Sequence, residues 1–181
     1  MHINSMEKVM ILKLMNGLYG ISIEENAVKM QEFLSKTIQF FRYYTSEYKL
    51  VRMKEELNTV QSLTELMTAC SGIGHDITIN AADSELLNLY IPSNSLVRFI
   101  LECFLYASDD EAANILMEVG QEEDTVLISI EKVVVSDMDR LRGMVNRLKE
   151  SLKSMEGSSV HVVFISKKPV TAKIRIDLPA E

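Results

Sequence analysis

Apolar residues recur every third or fourth position through most of residues 6–70, and that spacing predicts helices. A first helix is expected over residues 6–18, with Met6, Val9, Met10, Leu14 and Leu18 on one side. Gly17 and Gly20 loosen the chain there, and Ser22 with Glu25 has the spacing of a capping box that would open a second helix. That helix carries Ala27, Met30, Leu34, Thr37, Phe41 and Tyr44 at alternating steps of three and four, the seam of a coiled coil or bundle. Ile38 and Phe40 widen its apolar face beyond what two helices bury, so pairing with a second copy as a four-helix bundle is expected. A third helix is predicted over residues 51–70, with Met53, Leu57, Val60, Leu63 and Met67 inward, ended by the Ser71–Gly74 stretch.

After His75 the period changes. Ile77-Thr78-Ile79 alternates as a strand does, and Ile91-Pro92-Ser93 opens a strongly apolar helix over residues 96–106. Strands are predicted over 113–119 and 125–134, around the polar turn Gly120–Asp124. An amphipathic helix follows over 137–155, with Leu141, Met144, Val145, Leu148 and Leu152 on one face and Gly157 as terminator. The chain closes in a hairpin, 160–166 and 170–178, around Lys167-Lys168-Pro169. This order is too mixed for a pure bundle and too rich in hairpins for a doubly wound sheet. It predicts an α+β chain: a helical hairpin over residues 1–48, then an α/β two-layer sandwich over 49–181 with helices on one face of a mostly antiparallel sheet.

Composition narrows the function. Apolar residues make up 47% of the 181, enough for a buried core. The net charge is −7 (19 cations against 26 anions) with no basic run, which argues against nucleic acid and against an anionic membrane surface as partners. No apolar run reaches the length of a membrane helix, and the opening Met1–Lys8 has no signal-peptide cleavage site. Cys70 and Cys103 read as two buried thiols of a reducing compartment, so a cytoplasmic location is expected, as a free module or as the intracellular part of a membrane-anchored parent.

Chemistry is sparse. No phosphate-binding loop, dinucleotide fingerprint or nucleophile elbow is present. His2, His75 and His161 stand far apart with no metal-ligand spacing, and no metal site is expected. Asp109–Glu111 and Glu122–Asp124 read as solvated turns, and the 11 methionines as core filler.

A family resemblance enters in the middle of the chain. Leu34-Ser35 with Arg42-Tyr43, Glu56-Leu57, Ile91-Pro92 and Leu101-Glu102-Cys103-Phe104 resemble, in that order, the "LS…RY" helix, the "E-L" helix, the "I-P" pair and the "V-E-N-A" box of sensor histidine kinases of the LytS/YesM type. Gly143-Met144-Val145-Asn146 resembles their "G-L-x-N", and residues 172–179 resemble their last strand. The resemblance implies a helical dimerisation region with the seam Ala27, Met30, Leu34, Phe41 and Tyr44, an ATPase-type domain, and a response regulator as partner.

It also implies a damaged nucleotide site. The magnesium-binding asparagine of the box falls on Cys103, a poor ligand for a hard cation. The glycine-rich adenine box is missing, since no glycine lies between Gly120 and Gly143. Glu102 keeps the place of the family's activating carboxylate, while Cys103, Gly143 and Asn146 stand as remnant nucleotide-site positions. Met6 occupies the phospho-acceptor position, leaving His2 as the alternative acceptor. No cofactor is expected, with Mg-ATP only where kinase activity is retained. The implied role is a two-component signalling module with weak or lost kinase activity. The alternatives are a histidine phosphotransferase of the ChpT kind, which pairs a helical hairpin with a degenerate ATPase domain, and a non-catalytic dimeric scaffold.

Overall fold

A computed structural model describes residues 15–16, 18–20, 22–46, 49–71, 74–106, 112–167 and 170–179. His2, Met6 and Asp109–Glu111 lie outside the described residues. The chain divides into two compact units, residues 1–47 and 48–181.

In the first unit, residues 18–20 and 22–24 are helical, so the helix continues through Gly20. Ser22 does not open the second helix. It ends the first: its carbonyl accepts the Ala27 N–H (2.9 Å) while the Ile23 carbonyl accepts the Asn26 N–H (3.0 Å). Asn26 sits at φ 55°, the left-handed residue that such a helix end requires and that Asn tolerates better than most. The next helix, α1 (Val28–Tyr44), follows without a side-chain cap. Leu34 and Ile38, one turn apart, are its buried residues. Of the remaining seam positions, Met30 is 52% exposed, and Ala27, Phe41 and Tyr44 are half-buried.

The second unit opens with a short strand, β1 (Leu50–Arg52), where the periodicity predicted a helix. Helix α2 (Met53–Ser71) follows, then β2 (Asp76–Ala81), a short 3-10 turn, β3 (Tyr90–Pro92), α3 (Ser95–Tyr106), β4 (Asn114–Glu122), β5 (Thr125–Val135), α4 (Met138–Leu152), β6 (Ser159–Lys167) and β7 (Val170–Pro179). β1 and β3 form a separate antiparallel ribbon. The other five strands make one sheet in the order β2-β4-β5-β7-β6, antiparallel except for β2 against β4. Alternate residues of its central strands are buried: Ile115, Met117 and Val119 on β4, Val126, Ile128 and Ile130 on β5, Ala172, Ile174, Ile176 and Leu178 on β7. α3 and α4 pack on that face and on each other. The predicted helix layer on one face of a mostly antiparallel sheet is therefore present. The core is continuous across it, with Phe99, Ile100, Leu141 and Met144 almost wholly removed from water.

Candidate functional site

Two of the stretches that the resemblance marked, at Glu56 and at residues 143–146, meet α3. Its N-terminus is held from a distance. Glu56, on α2 and 0% exposed, accepts the N–H groups of Leu96 (2.9 Å) and Val97 (3.0 Å) on one oxygen and of Asn94 (3.0 Å) on the other. The first turn of any helix leaves N–H groups without intrahelical partners, and a carboxylate there satisfies them and complements the helix dipole. Here the cap comes from another helix, so it also clamps α2 to α3.

Along α3 the stripe Leu96, Ile100 and Cys103 with Val97 and Phe104 faces the core. Cys103 is 1% exposed, and burial pushes its thiol pKa up, with the neighbouring Glu102 charge adding to the shift, whereas Cys70, expected to be buried too, is exposed near the end of α2. The side chain that faces α4 is Glu102, which accepts Nε and Nη2 of Arg147, each at 2.8 Å. This bidentate pair raises the Arg147 pKa, chiefly through the hydrogen bond to Glu102. Gly143, one turn before Arg147, makes room for it: a Cβ there would stand 3.3 Å from Arg147 Nη1. Asn146 is exposed and points elsewhere.

The far end of the same groove is also fastened. The strand β5 passes into α4 through Ser136 and Asp137 alone. The Ser136 N–H donates to the Tyr106 carbonyl (3.0 Å), Asp137 Oδ1 caps α4 by accepting the Arg140 N–H (2.8 Å), and the Arg140 guanidinium lies 4.9 Å above the Tyr106 ring. What remains between α3 and α4 is a pocket of about 190 Å³, bordered by Ser95, Arg98, Glu102, Arg147 and Ser151. Pockets that take drug-sized ligands measure roughly 300–1,000 Å³. The end of β5, where the resemblance looks for glycine, presents Val133 and Val135, both 0% exposed. A bulge there puts Lys132 at φ 59°.

Of the predicted site residues, Glu102 lines this pocket, while Cys103, Gly143 and Asn146 do not. Arg147 and Glu56 were not singled out as site residues from sequence. Arg147 had one signal, its place four residues after Gly143, while the cap by Glu56 depends on a contact forty residues away.

A second polar cluster lies on β6 and β7. His161 Nε2 is 2.8 Å from Ser159 Oγ and 3.1 Å from Asp177 Oδ2, and Arg175 Nε donates to Asp177 Oδ1 at 2.7 Å. Burial works to raise the Asp177 pKa, but hydrogen bonds from Arg175 and Ser159 outweigh it and hold the carboxyl below its usual range. The trio is not a hydrolytic relay. One ring nitrogen meets both serine and aspartate, whereas a relay needs the carboxylate on the opposite nitrogen. The adjoining hollow of about 890 Å³ is wide and shallow. Among the described residues no cluster suits a metal ion, and no helix is long and apolar enough to cross a membrane.

No family model matches the sequence, and no curated protein is similar to it. Several solved structures resemble this chain. A bacterial phosphotransferase is 8% identical with a TM-score of 0.50, the match covering 97% of this chain and 98% of that one. The histidine kinase AdeS of Acinetobacter baumannii is 11% identical with a TM-score of 0.48, over 96% and 95% of the two chains. The catalytic domain of the histidine kinase ThkA is 11% identical with a TM-score of 0.49, over 75% of this chain and 97% of that one. At these identities the likeness is one of fold alone.

Proposed function

We propose that this chain is a two-component signalling module with a histidine-kinase-type architecture whose sheet domain has given up its grip on a triphosphate. The observation that carries the reading is the Glu102–Arg147 pair, which spans the groove between α3 and α4 at two contacts of 2.8 Å. A carboxylate paired in this way is already neutralised, and its neighbour Cys103 offers a buried thiol where magnesium needs oxygen. The two-residue passage from β5 to α4 leaves no loop to fold over a nucleotide. In this reading Glu102 braces two helices and Gly143 and Asn146 have no ligand to hold. The helical unit, residues 1–48, pairs with that of a second copy through Ala27, Met30, Leu34, Phe41 and Tyr44, and the bundle so formed offers a flank to a cytoplasmic response regulator. Calorimetry with Mg-ATP tests the proposal. No saturable heat is expected at millimolar nucleotide, and a micromolar dissociation constant would reverse it.

A second reading is favoured by one observation: the likeness to the bacterial phosphotransferase runs the length of both chains. On that reading the module passes a phosphoryl group between a histidine and a response regulator and needs no nucleotide. His2 is the acceptor the sequence offers. Transfer from a phosphorylated response regulator to this chain, abolished by His2→Ala, would establish it. Transfer that survives His2→Ala would move the acceptor elsewhere.

A further inference from the structure

We infer that β6 is a self-association edge, along which a second copy of this chain pairs antiparallel through its own β6. The inference is independent of the proposed signalling role and of the helical pairing. β6 ends the sheet order β2-β4-β5-β7-β6, so among the described residues no strand lies along one side of its backbone. Its middle is apolar and open: Val163 is 57% exposed, Phe164 51% and Ile165 64%. Phe164 pairs with Ala172 and Val162 with Ile174, both of which are fully buried. Phe164 therefore stands on the helix-covered face of the sheet, at a point the helices do not reach. Natural edges are usually blunted by charge, proline or a bulge. This one has a bulge between Phe164 and Ser166, which leaves Ile165 without a counterpart on β7. Its charged residues stand outside the apolar middle.

The distribution of charge selects the occupant. In a chain of net charge −7, no acidic residue occurs from Gly157 to Ile176. Lys173 and Arg175 are neutralised by Glu131 and by Asp177 with Glu122. By sequence the C-terminal end of β6 is basic, with Lys167 followed by Lys168, while its N-terminal end at Ser159 adjoins a hollow where Glu122, Glu123, Asp124 and Asp177 outnumber Arg175. A strand with one basic and one acidic end complements a copy of itself run in the opposite direction. Overlapping β6 over its whole length places Lys167 opposite the partner copy's Ser159, at the acidic end of that copy's strand. It sets Phe164 against Val162, an aromatic on a β-branched residue, and Val163 against itself on the two-fold axis. Such cross-strand pairs are the unit of sheet stability, and an isologous contact of this kind closes on two copies.

The register makes the test specific. Residues facing each other across an antiparallel pair have Cα atoms about 4.5–5.5 Å apart, within the span of a disulfide. In full-length protein carrying Cys70→Ser, which removes the exposed thiol, Val163→Cys is expected to form an intermolecular disulfide under mild oxidation. Phe164→Lys is expected to halve the mass seen by sedimentation velocity, with its far-ultraviolet spectrum unchanged and its melting no longer dependent on protein concentration. If the helical units also pair with a different copy, the wild-type mass exceeds two chains and Phe164→Lys brings it down to the two that the helices hold. A Val163→Cys chain that stays reduced, a wild-type chain that sediments as a monomer, or a mass indifferent to Phe164→Lys would each overturn the inference.

Discussion

The beginning and the middle of α3 are each fastened by a glutamate, and the two could hardly differ more. Glu56 is wholly buried and spends its carboxylate on three backbone N–H groups at the helix start. Glu102 keeps 14% of its side chain in water and meets an arginine that keeps 46%. Both residues fall in stretches that resemble conserved-looking boxes of one kinase type, and the motif alone ranks Glu102 as the chemical one. The environments say that Glu56 holds the start of α3 in place and that Glu102 braces α3 against α4. A buried acceptor that satisfies backbone donors cannot be removed without leaving those donors stranded, while a half-exposed ion pair can exchange its partner for water.

The largest expected effect therefore belongs to Glu56→Ala. Each stranded N–H costs roughly 1–3 kcal/mol, so a loss of about 3–5 kcal/mol is expected, a large part of the 5–15 kcal/mol that typically separates folded from unfolded. Urea titration followed by circular dichroism measures it. A loss under about 1 kcal/mol would show that water or a neighbouring group takes over the cap and would erase the contrast with Glu102. Glu102→Gln comes next. It removes one charge of a solvent-screened pair and should cost no more than about 1 kcal/mol. Mg-ATP should still fail to bind, because Val133, Val135 and the two-residue passage into α4 are untouched. If nucleotide bound to this variant, the ion pair alone would be the obstacle, and the site would be a latched one rather than a lost one.

The parts of this picture that were legible in sequence are those set by local spacing. The stripes of α2, α3 and α4, the β4–β5 turn and the closing hairpin follow from period and turn chemistry. So did one point that motif matching obscured. In α3 the apolar positions 96, 100 and 103, with 97 and 104, share one helical face, and this puts Cys103 inside and Glu102 outside. Placing Cys103 at a ligand position took the motif's word over the helix's phase. What could not be read depends on distant partners. The β1–β3 ribbon exists because Leu50 meets Pro92, and residues 50–52 are by local pattern as good a helix start as any. The boundary at Asn26 was missed for another reason: a left-handed asparagine does at a helix end what glycine is usually sought for. Gly17 and Gly20 drew the break to the wrong turn.

The smallest expected effect concerns the other end of α3, and it extends the contrast from carboxylates to an imidazole. His75 Nδ1 accepts the Ala113 N–H at 3.2 Å, and its ring lies 5.0 Å from that of Phe104. Accepting at Nδ1 requires the neutral ring with its proton on Nε2, and burial lowers the His75 pKa below that of a free imidazole. The unfolded chain, with a histidine pKa of about 6.5, then binds the proton more readily than the folded one. Stability contributed by the neutral ring is thus fully present above about pH 6.5 and falls as the pH drops below it, where the unfolded state takes up protons first. Asp177, held below its usual range, adds a similar fall only at more acidic pH, where carboxylates titrate. His75→Gln keeps an oxygen able to accept from Ala113 and cannot titrate. The melting temperature of the wild type should therefore fall between pH 7 and pH 5.5, within the range in which histidine titrates. That of His75→Gln should change less over the same interval. Parallel curves would mean that the imidazole is as free to protonate folded as unfolded, and that the end of α3 near Phe104 is more open to water than its beginning at Glu56.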